Sequence, residues 1–317
     1  MVLQPTTLTS TLLNLKQIHI EVSSKCTLKC PRCPRTELKP ELVNRELSLL
    51  EFQRAFTSDI LKDVHEITFC GDIGDPIYAK DFLEIVRYIK SARYNTSLII
   101  VTNGSYKDTK FWHNLCARLT NQDWIVFSID GLEHNNHLYR KNSDWKSIIE
   151  AVQIVSSYSV NLGWKTLIFD YNYKEINQIK MLAESYGAVF TSEKTGRFGD
   201  ESLRPPDNLT DSSTVYFQGI ESITKIEPQC QQHSKEYISA DGYYWPCCWI
   251  SSAFTLYKSD LWKNKEQWSI KNKNLSELRR QLDLWINSMQ TKPDTICKMM
   301  CKVGNSTSLK NHGLIAQ

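Results

Sequence analysis

Six short runs rich in β-branched and aromatic residues punctuate the first 195 positions, at residues 17–22, 66–70, 97–102, 124–129, 163–169 and 188–191. Each has the length of a strand, and helix-length stretches separate them. Ser48-Leu49-Leu50-Glu51 and Asp81-Phe82-Leu83-Glu84 have capping-box spacing, in which the first side chain accepts an orphan helix amide and the acid reaches back. Each opens an apolar-periodic segment, so both predict helix starts. Strands alternating with helices imply βα units, a parallel sheet and right-handed crossovers. Six such units make three-quarters of a (β/α)8 barrel, so the fold class expected is α/β: a partial (β/α)6 TIM barrel over residues 1–195.

The pattern breaks at residues 196–228, where Gly, Pro, Ser and Asp accumulate, and a linker is expected there. Residues 236–240 and 243–245 then flank Asp241-Gly242, the dipeptide of a two-residue hairpin in which both central residues take positive φ. Asn274 and Glu277 form another capping box ahead of Leu275, Leu278, Leu282, Trp285 and Ile286 at helical spacing. One helix packed on one hairpin predicts a small α+β module over residues 229–317. No internal repeat or low-complexity tract interrupts this division.

With 41% apolar and 23% charged residues the chain can bury a sizeable core, which excludes disorder. A formal charge of +3 does not point to a polyanionic partner. No run reaches the roughly 18–20 apolar residues of a membrane span, and the first fifteen residues lack a signal peptide's charged and apolar regions. A cytoplasmic protein with no membrane partner is expected. In that compartment thiols stay reduced, so clustered cysteines read as metal ligands rather than disulfides. Of the ten cysteines, Cys26, Cys30 and Cys33 crowd one loop, and Cys230, Cys247, Cys248, Cys297 and Cys301 lie beyond residue 229. Cys70 and Cys116 stand alone and are expected to be small buried hydrophobes.

Cys26-Thr27-Leu28-Lys29-Cys30-Pro31-Arg32-Cys33 places three thiols, spaced C-x3-C-x2-C, just after the first strand. Three thiolates on a four-iron cubane leave one iron open for a substrate or cofactor, whereas a structural site closes its shell. A zinc ion borrowing a fourth ligand is the alternative. The later strand ends carry chemistry in the same register: Gly71-Asp72-Ile73-Gly74-Asp75-Pro76 after the second, Asn103-Gly104 at the third, Ser128-Ile129-Asp130-Gly131 at the fourth. In barrel enzymes this is the face that holds the active site.

The three-cysteine motif after the first strand, with the series that follows it, resembles the radical S-adenosylmethionine (SAM) superfamily. The resemblance implies a SAM-binding [4Fe-4S] cluster on Cys26, Cys30 and Cys33. It also implies one-electron reduction by a flavodoxin- or ferredoxin-type partner, and a 5′-deoxyadenosyl radical that removes a hydrogen atom from substrate. Gly74 and Asp75 match the family's glycine-rich loop at the SAM amino group, with Asp75 where a Glu is usual. By the same resemblance Asn103, Ser128 and Asp130 lie along SAM, Asn172 near its adenosine, and Arg140 pairs with its carboxylate, a role suited to the guanidinium fork.

The spacing from Cys230 through Gly242 and Cys247 to Cys297-Lys298-Met299-Met300-Cys301 resembles the twitch module, the shortened relative of the SPASM domain. That implies an auxiliary [4Fe-4S] cluster on Cys230, Cys247, Cys297 and Cys301. Either Cys247 or its neighbour Cys248 could serve, with the G-x4-C spacing favouring Cys247, and a four-thiol zinc site is the alternative. A closed cluster cannot bind substrate through iron, so it is expected to accept an electron from the substrate radical, with dehydrogenation of a small-molecule alcohol as the leading outcome. Peptide or protein modification is the runner-up, and a fused leader-peptide-binding domain is not expected in the 25 residues before Cys26. A non-catalytic zinc-binding scaffold is the third reading. Residues 258–273 hold five lysines with Trp262 and Trp268, which could grip a single strand of nucleic acid but read better as a solvated flank. His134 and His137 are expected at the surface.

Overall fold

The computed structural model describes residues 17–37, 44–198, 203–206, 225–228, 230, 236–252, 256, 259–289 and 291–301. Six parallel strands follow the expected runs: β1 (Gln17–Ile20), β2 (Glu66–Phe69), β3 (Ser97–Thr102), β4 (Trp124–Ser128), β5 (Asn161–Ile168) and β6 (Val189–Lys194). Each pairs in parallel with the next, so the chain folds as a partial (β/α)6 barrel. The sixth strand runs to Lys194, three residues past its sequence-based end, because it pairs along β5 as far as Ile168.

Alternation assigns the two faces. Ile18, Ile20, Ile67, Phe69, Ile100, Phe127 and Trp164 pack outward against Phe52, Phe82, Ile85, Trp112, Leu115 and Val152 of the surrounding helices in one continuous core. Their neighbours in sequence, His19, Thr68, Val101, Ser128 and Lys165, are half-buried on the inner face, and Glu193 of β6 is half-buried beside Lys165. A filled barrel places branched apolar residues there; here Ile99, Val101 and Val126 share the wall with polar His19, Thr68, Ser128, Lys165 and Glu193, so the inner wall is mixed.

Two helix starts form as expected. Ser48 caps Leu49–Ala55 and Asn274 caps Leu275–Ser288, each with a complete capping box. Asp81 does not cap its own helix, Phe82–Ala92. Its carboxylate instead accepts the amide of Leu49 at 2.9 Å, an orphan donor of the neighbouring helix.

The hairpin also departs from expectation. β7 (Glu236–Ile238) and β8 (Tyr244–Trp245) are antiparallel, but Ser239 donates to the Tyr243 carbonyl, leaving Ala240, Asp241 and Gly242 as a three-residue loop. Gly242 is left-handed at φ +83°, and Asp241 is not among the positive-φ residues, so one left-handed position closes the turn. The hairpin is, moreover, part of the barrel's sheet: β7 pairs in parallel with β1, giving the order β6-β5-β4-β3-β2-β1-β7-β8. The Leu275–Ser288 helix lays Leu278 and Leu282 into the same core and joins β7 through Arg279 and Glu236 at 2.8 Å.

Most of the expected linker lies outside the described residues. Arg197 donates to the Tyr139 hydroxyl at 2.6 Å, and Leu203 is buried beside Tyr139 and Phe169, so these parts of it return to the barrel mouth. Among the described residues no helix is long and apolar enough to cross a membrane.

Candidate active site at the carboxyl ends of the strands

The three-thiol loop follows β1 and is pinned at several points to neighbouring strand ends. The Lys25 carbonyl accepts the Asp75 amide at 2.9 Å, Lys29 donates to the Lys141 carbonyl at 2.9 Å, and the Thr27 carbonyl accepts the Asn142 side chain at 2.7 Å. Cys26, Cys30 and Cys33 gather in one apolar nest with Leu28, Tyr139, Phe169, Tyr171, Phe198 and Leu203. Burial, then the nearby Asp75 charge, pushes the Cys26 thiol up to about 12, and burial raises Cys30 against the opposing charge of Arg140. Such thiols ionise only beside a strong cation, which a bound metal supplies. The Cys26 sulfur also accepts from the Leu28 amide at 3.4 Å and the Asn103 side chain at 3.6 Å, contacts of the kind that tune a thiolate-bound cluster. The donor set therefore fits an iron–sulfur cluster with an open edge.

Around this loop the strand ends carry two polar networks, one centred on Asp75 and one on Asp130. Asp75 is buried, and its carboxylate accepts the Asn103 amide at 2.7 Å, the Asn103 side chain at 2.6 Å, the Thr102 hydroxyl at 2.9 Å and the Ile77 amide at 3.2 Å. Burial pushes its carboxyl up to about 6 against these bonds. Asp75 thus ties the end of β3 to the β2 loop, and a SAM amino group would share a carboxylate already engaged with the chain. Asp130 is fully buried, accepting Arg140 Nε at 2.5 Å and the Leu167 amide at 2.6 Å. Burial works against the Arg140 charge, and Asp130 outweighs it, leaving the guanidinium more firmly protonated than usual. Asn172 spends its amide on the Asp130 and Leu167 carbonyls and the Phe169 amide at 2.7–2.9 Å, closing the turn after β5. Asp75 is thus joined to Asn103, and Asp130 to Arg140 and Asn172, while Ser128 stands half-buried at the end of β4.

Gly74 belongs to a close backbone crossing. A Cβ there would lie 1.9 Å from the Ser23 carbonyl oxygen, and one at Gly71 would lie 2.2 Å from that of Gly74. Only glycine allows this approach.

A family model of the radical SAM superfamily matches residues 20–183, which contain the thiol loop and both networks. The chain belongs to the radical SAM superfamily. It is 26% identical over 174 residues to the S-adenosylmethionine-dependent nucleotide dehydratase of Lacinutrix mariniflava, covering 51% of this chain and 34% of that one. It is 21% identical over 178 residues to the tungsten-containing aldehyde ferredoxin oxidoreductase cofactor-modifying protein of Pyrococcus furiosus, covering 52% and 47%. The matches thus span less than half the length of these relatives. The fold resembles Streptococcus suis SuiB bound to precursor peptide SuiA, with a TM-score of 0.60, 14% identity, and coverage of 90% of this chain and 71% of that one. It also resembles anSMEcpe with bound AdoMet, at 0.55 and 16%, covering 87% and 81%.

Sequence reasoning missed several residues of this radical SAM barrel. Glu21, His19 and Tyr237 form a group under the glycine-rich loop: Tyr237 donates to Glu21 at 3.2 Å, and its ring lies 4.9 Å from that of His19. Burial first, then the Asp72 charge, pushes the Glu21 carboxyl up to about 7. Cys70, expected as a buried hydrophobe, is half-buried at the inner wall, close enough to Lys165 to feel its charge. Lys165 pairs with Glu193 at 2.8 Å. The clue was the alternation Ile18-His19-Ile20-Glu21-Val22, in which a parallel strand buried on both faces would be apolar throughout. Cys116 is core, as expected. His134 and His137 are exposed, and His134 meets Glu175 at 3.2 Å.

The C-terminal thiols also converge. Burial raises Cys247 well above its ordinary value, with Cys248, Cys230 and Cys301 contributing, and raises Cys297 with Cys247, Cys301 and Cys230 contributing. Cys297 and Cys301 are buried and joined through one helical turn. Among the described residues no three His, Cys, Asp or Glu side chains are set for a single metal ion. A cubane asks for a wider spread, because each thiolate takes a different iron. In the 258–273 strip, Trp268 is buried in the core and Lys265 lies 4.1 Å over the Trp262 ring, so neither indole offers a free stacking face.

Proposed function

We propose that this chain is a radical SAM oxidoreductase acting on a small polar molecule, with alcohol dehydrogenation as its reaction. In this reading Cys26, Cys30 and Cys33 hold the SAM-binding [4Fe-4S] cluster, and Cys230, Cys247, Cys297 and Cys301 hold an auxiliary one. The observation that carries the substrate class is the inner wall, where polar His19, Ser128, Lys165 and Glu193, with Cys70, interrupt the apolar layers of a filled barrel. Hydroxyl groups find both donors and acceptors on such a wall. When bound and reduced by one electron from a flavodoxin- or ferredoxin-type donor, SAM on its cluster supplies a 5′-deoxyadenosyl radical. The chain's own residues then shield and orient: Leu28, Tyr139, Phe169 and Leu203 keep water from the thiol loop, while the Asp75 and Asp130 networks fix the strand ends.

A second reading, peptide modification, draws on the fold similarity to SuiB bound to precursor peptide SuiA. The deciding experiment is iron, sulfide and zinc content after anaerobic reconstitution, with a dithionite assay for 5′-deoxyadenosine run on polyol and peptide panels. About eight irons and SAM cleavage stimulated by polyols support the proposal. Stimulation by peptides alone moves it to the second reading, and zinc without cleavage overturns both in favour of a scaffold.

A further inference from the structure

Tyr237 lies in the C-terminal hairpin, yet its hydroxyl reaches the glycine-rich loop after β2. It donates to Glu21 Oε2 at 3.2 Å and accepts the Asp72 amide at 3.4 Å. Glu21 Oε1 in turn accepts the amides of Ile73 and Gly74, both at 2.8 Å. One buried carboxylate therefore bridges a residue of β7 and two consecutive amides of the loop. The phenol is aimed by the parallel register that sets Tyr237 beside His19 and by the contact between their rings. The loop it holds has no slack, since Gly74 already crosses the Ser23 backbone at a distance no side chain tolerates.

We infer that Tyr237 is a positioning residue for the SAM-binding loop, acting through Glu21 to fix the Ile73 and Gly74 amides. The hairpin that leads to Cys247 thereby sets the geometry of a site formed by the opposite end of the chain. The part of the inference that concerns SAM rests on the proposed function above. A buried carboxylate holds amides strongly while it is ionised and fully paired. Removing the Tyr237 hydroxyl strands Oε2 in a buried setting beside the Asp72 charge, where an unpaired acceptor is costly and protonation relieves it. A neutral acid is a weaker acceptor, so the two amides loosen although their own geometry was not touched. The Glu21 carboxyl, already up at about 7, needs little further change to cross into the neutral form.

The test is amide hydrogen exchange on the metal-free protein, residue by residue, in Tyr237→Phe. The Ile73 and Gly74 amides are expected to exchange roughly three- to tenfold faster, the loss of about one net hydrogen bond. The Leu98 amide, held by Asp123, should not change. Tyr244→Phe is the matched control, a fully buried tyrosine of the same hairpin that pairs with Ile238 and stacks on Trp268. A tyrosine that only packs would lower the melting temperature in both variants and leave the two loop amides as they were. Exchange at Ile73 and Gly74 within twofold of the wild type therefore overturns the inference. If Tyr237→Phe does not fold, Glu21→Gln is read at the same amides, with faster exchange again expected and unchanged exchange overturning it. Titration of SAM into the iron-loaded proteins supplies the second readout. Affinity falling several-fold in Tyr237→Phe but not in Tyr244→Phe supports the role, and equal affinity overturns it. Failure of the wild type to bind SAM sinks the proposed function instead, and the exchange result then decides the Tyr237–Glu21 linkage alone.

Discussion

Replacing Gly74 by alanine is the sharpest single perturbation of the glycine-rich loop after β2. The added Cβ would stand 1.9 Å from the Ser23 oxygen and 2.6 Å from both the Cα and the carbonyl carbon of Ser24, all backbone atoms that cannot rotate away. Ordinary contact requires the loop to withdraw by about 1.5 Å. That movement carries the Gly74 amide, now 2.8 Å from Glu21, beyond hydrogen-bond range. Overpacking costs about 1–3 kcal/mol, and loss of a bond to a buried carboxylate about 1.5–3 kcal/mol, so Gly74→Ala should destabilise by about 3–5 kcal/mol. Gly187 is the comparison: it is left-handed at φ +75°, and an added Cβ meets nothing within 4 Å. Gly187→Ala should cost only the left-handed penalty, about 1–2 kcal/mol. Urea unfolding of the metal-free variants, compared through their midpoints at equal slope, measures the difference. If Gly74→Ala unfolds at the midpoint of Gly187→Ala, the crossing is not as tight as described and the argument for this glycine fails.

Two further outcomes follow from the buried acids and thiols. Glu21 is raised from 4.5 to about 7 on folding, so the native state binds the extra proton between those values. Stability should therefore fall by up to about 3 kcal/mol as the pH rises from about 4.5 to 7, and Glu21→Gln should remove that slope; urea midpoints at pH 5, 6, 7 and 8 check it, and an unchanged slope refutes it. Cys297 feels Cys230, Cys247 and Cys301, so Cys247→Ser should lower reconstituted iron from about eight to about four per chain while Cys248→Ser leaves it near eight. The reverse result reassigns the ligand.

The parts of the structure legible in the sequence are those governed by short-range rules. Ser48 and Asn274 meet their glutamates three residues on within one helical turn, and β3 occupies the run its branched residues mark. The thiol loop was readable because one short segment holds Cys26, Cys30 and Cys33. The misses have partners far along the chain. Asp81 has the spacing of a cap, but its carboxylate serves Leu49, 32 residues earlier. Asp75 was legible as a candidate from its place in the glycine-rich segment, whereas its saturation by Thr102 and Asn103 depends on how β2 and β3 align. Tyr237 carried no pattern of its own, because its meaning comes from a parallel pairing with β1 that no local rule anticipates.

That pairing has a consequence during synthesis. β1 emerges first, but its β7 neighbour follows about 220 residues later, a delay of roughly 10–40 s at ribosomal elongation rates. Throughout that interval one edge of the nascent sheet presents unpaired amides and carbonyls, the template on which strands from other chains add. Productive folding of this protein therefore depends on a late, long-range closure, and slowing translation between β6 and β7 should increase aggregation even though every element of the barrel is already made.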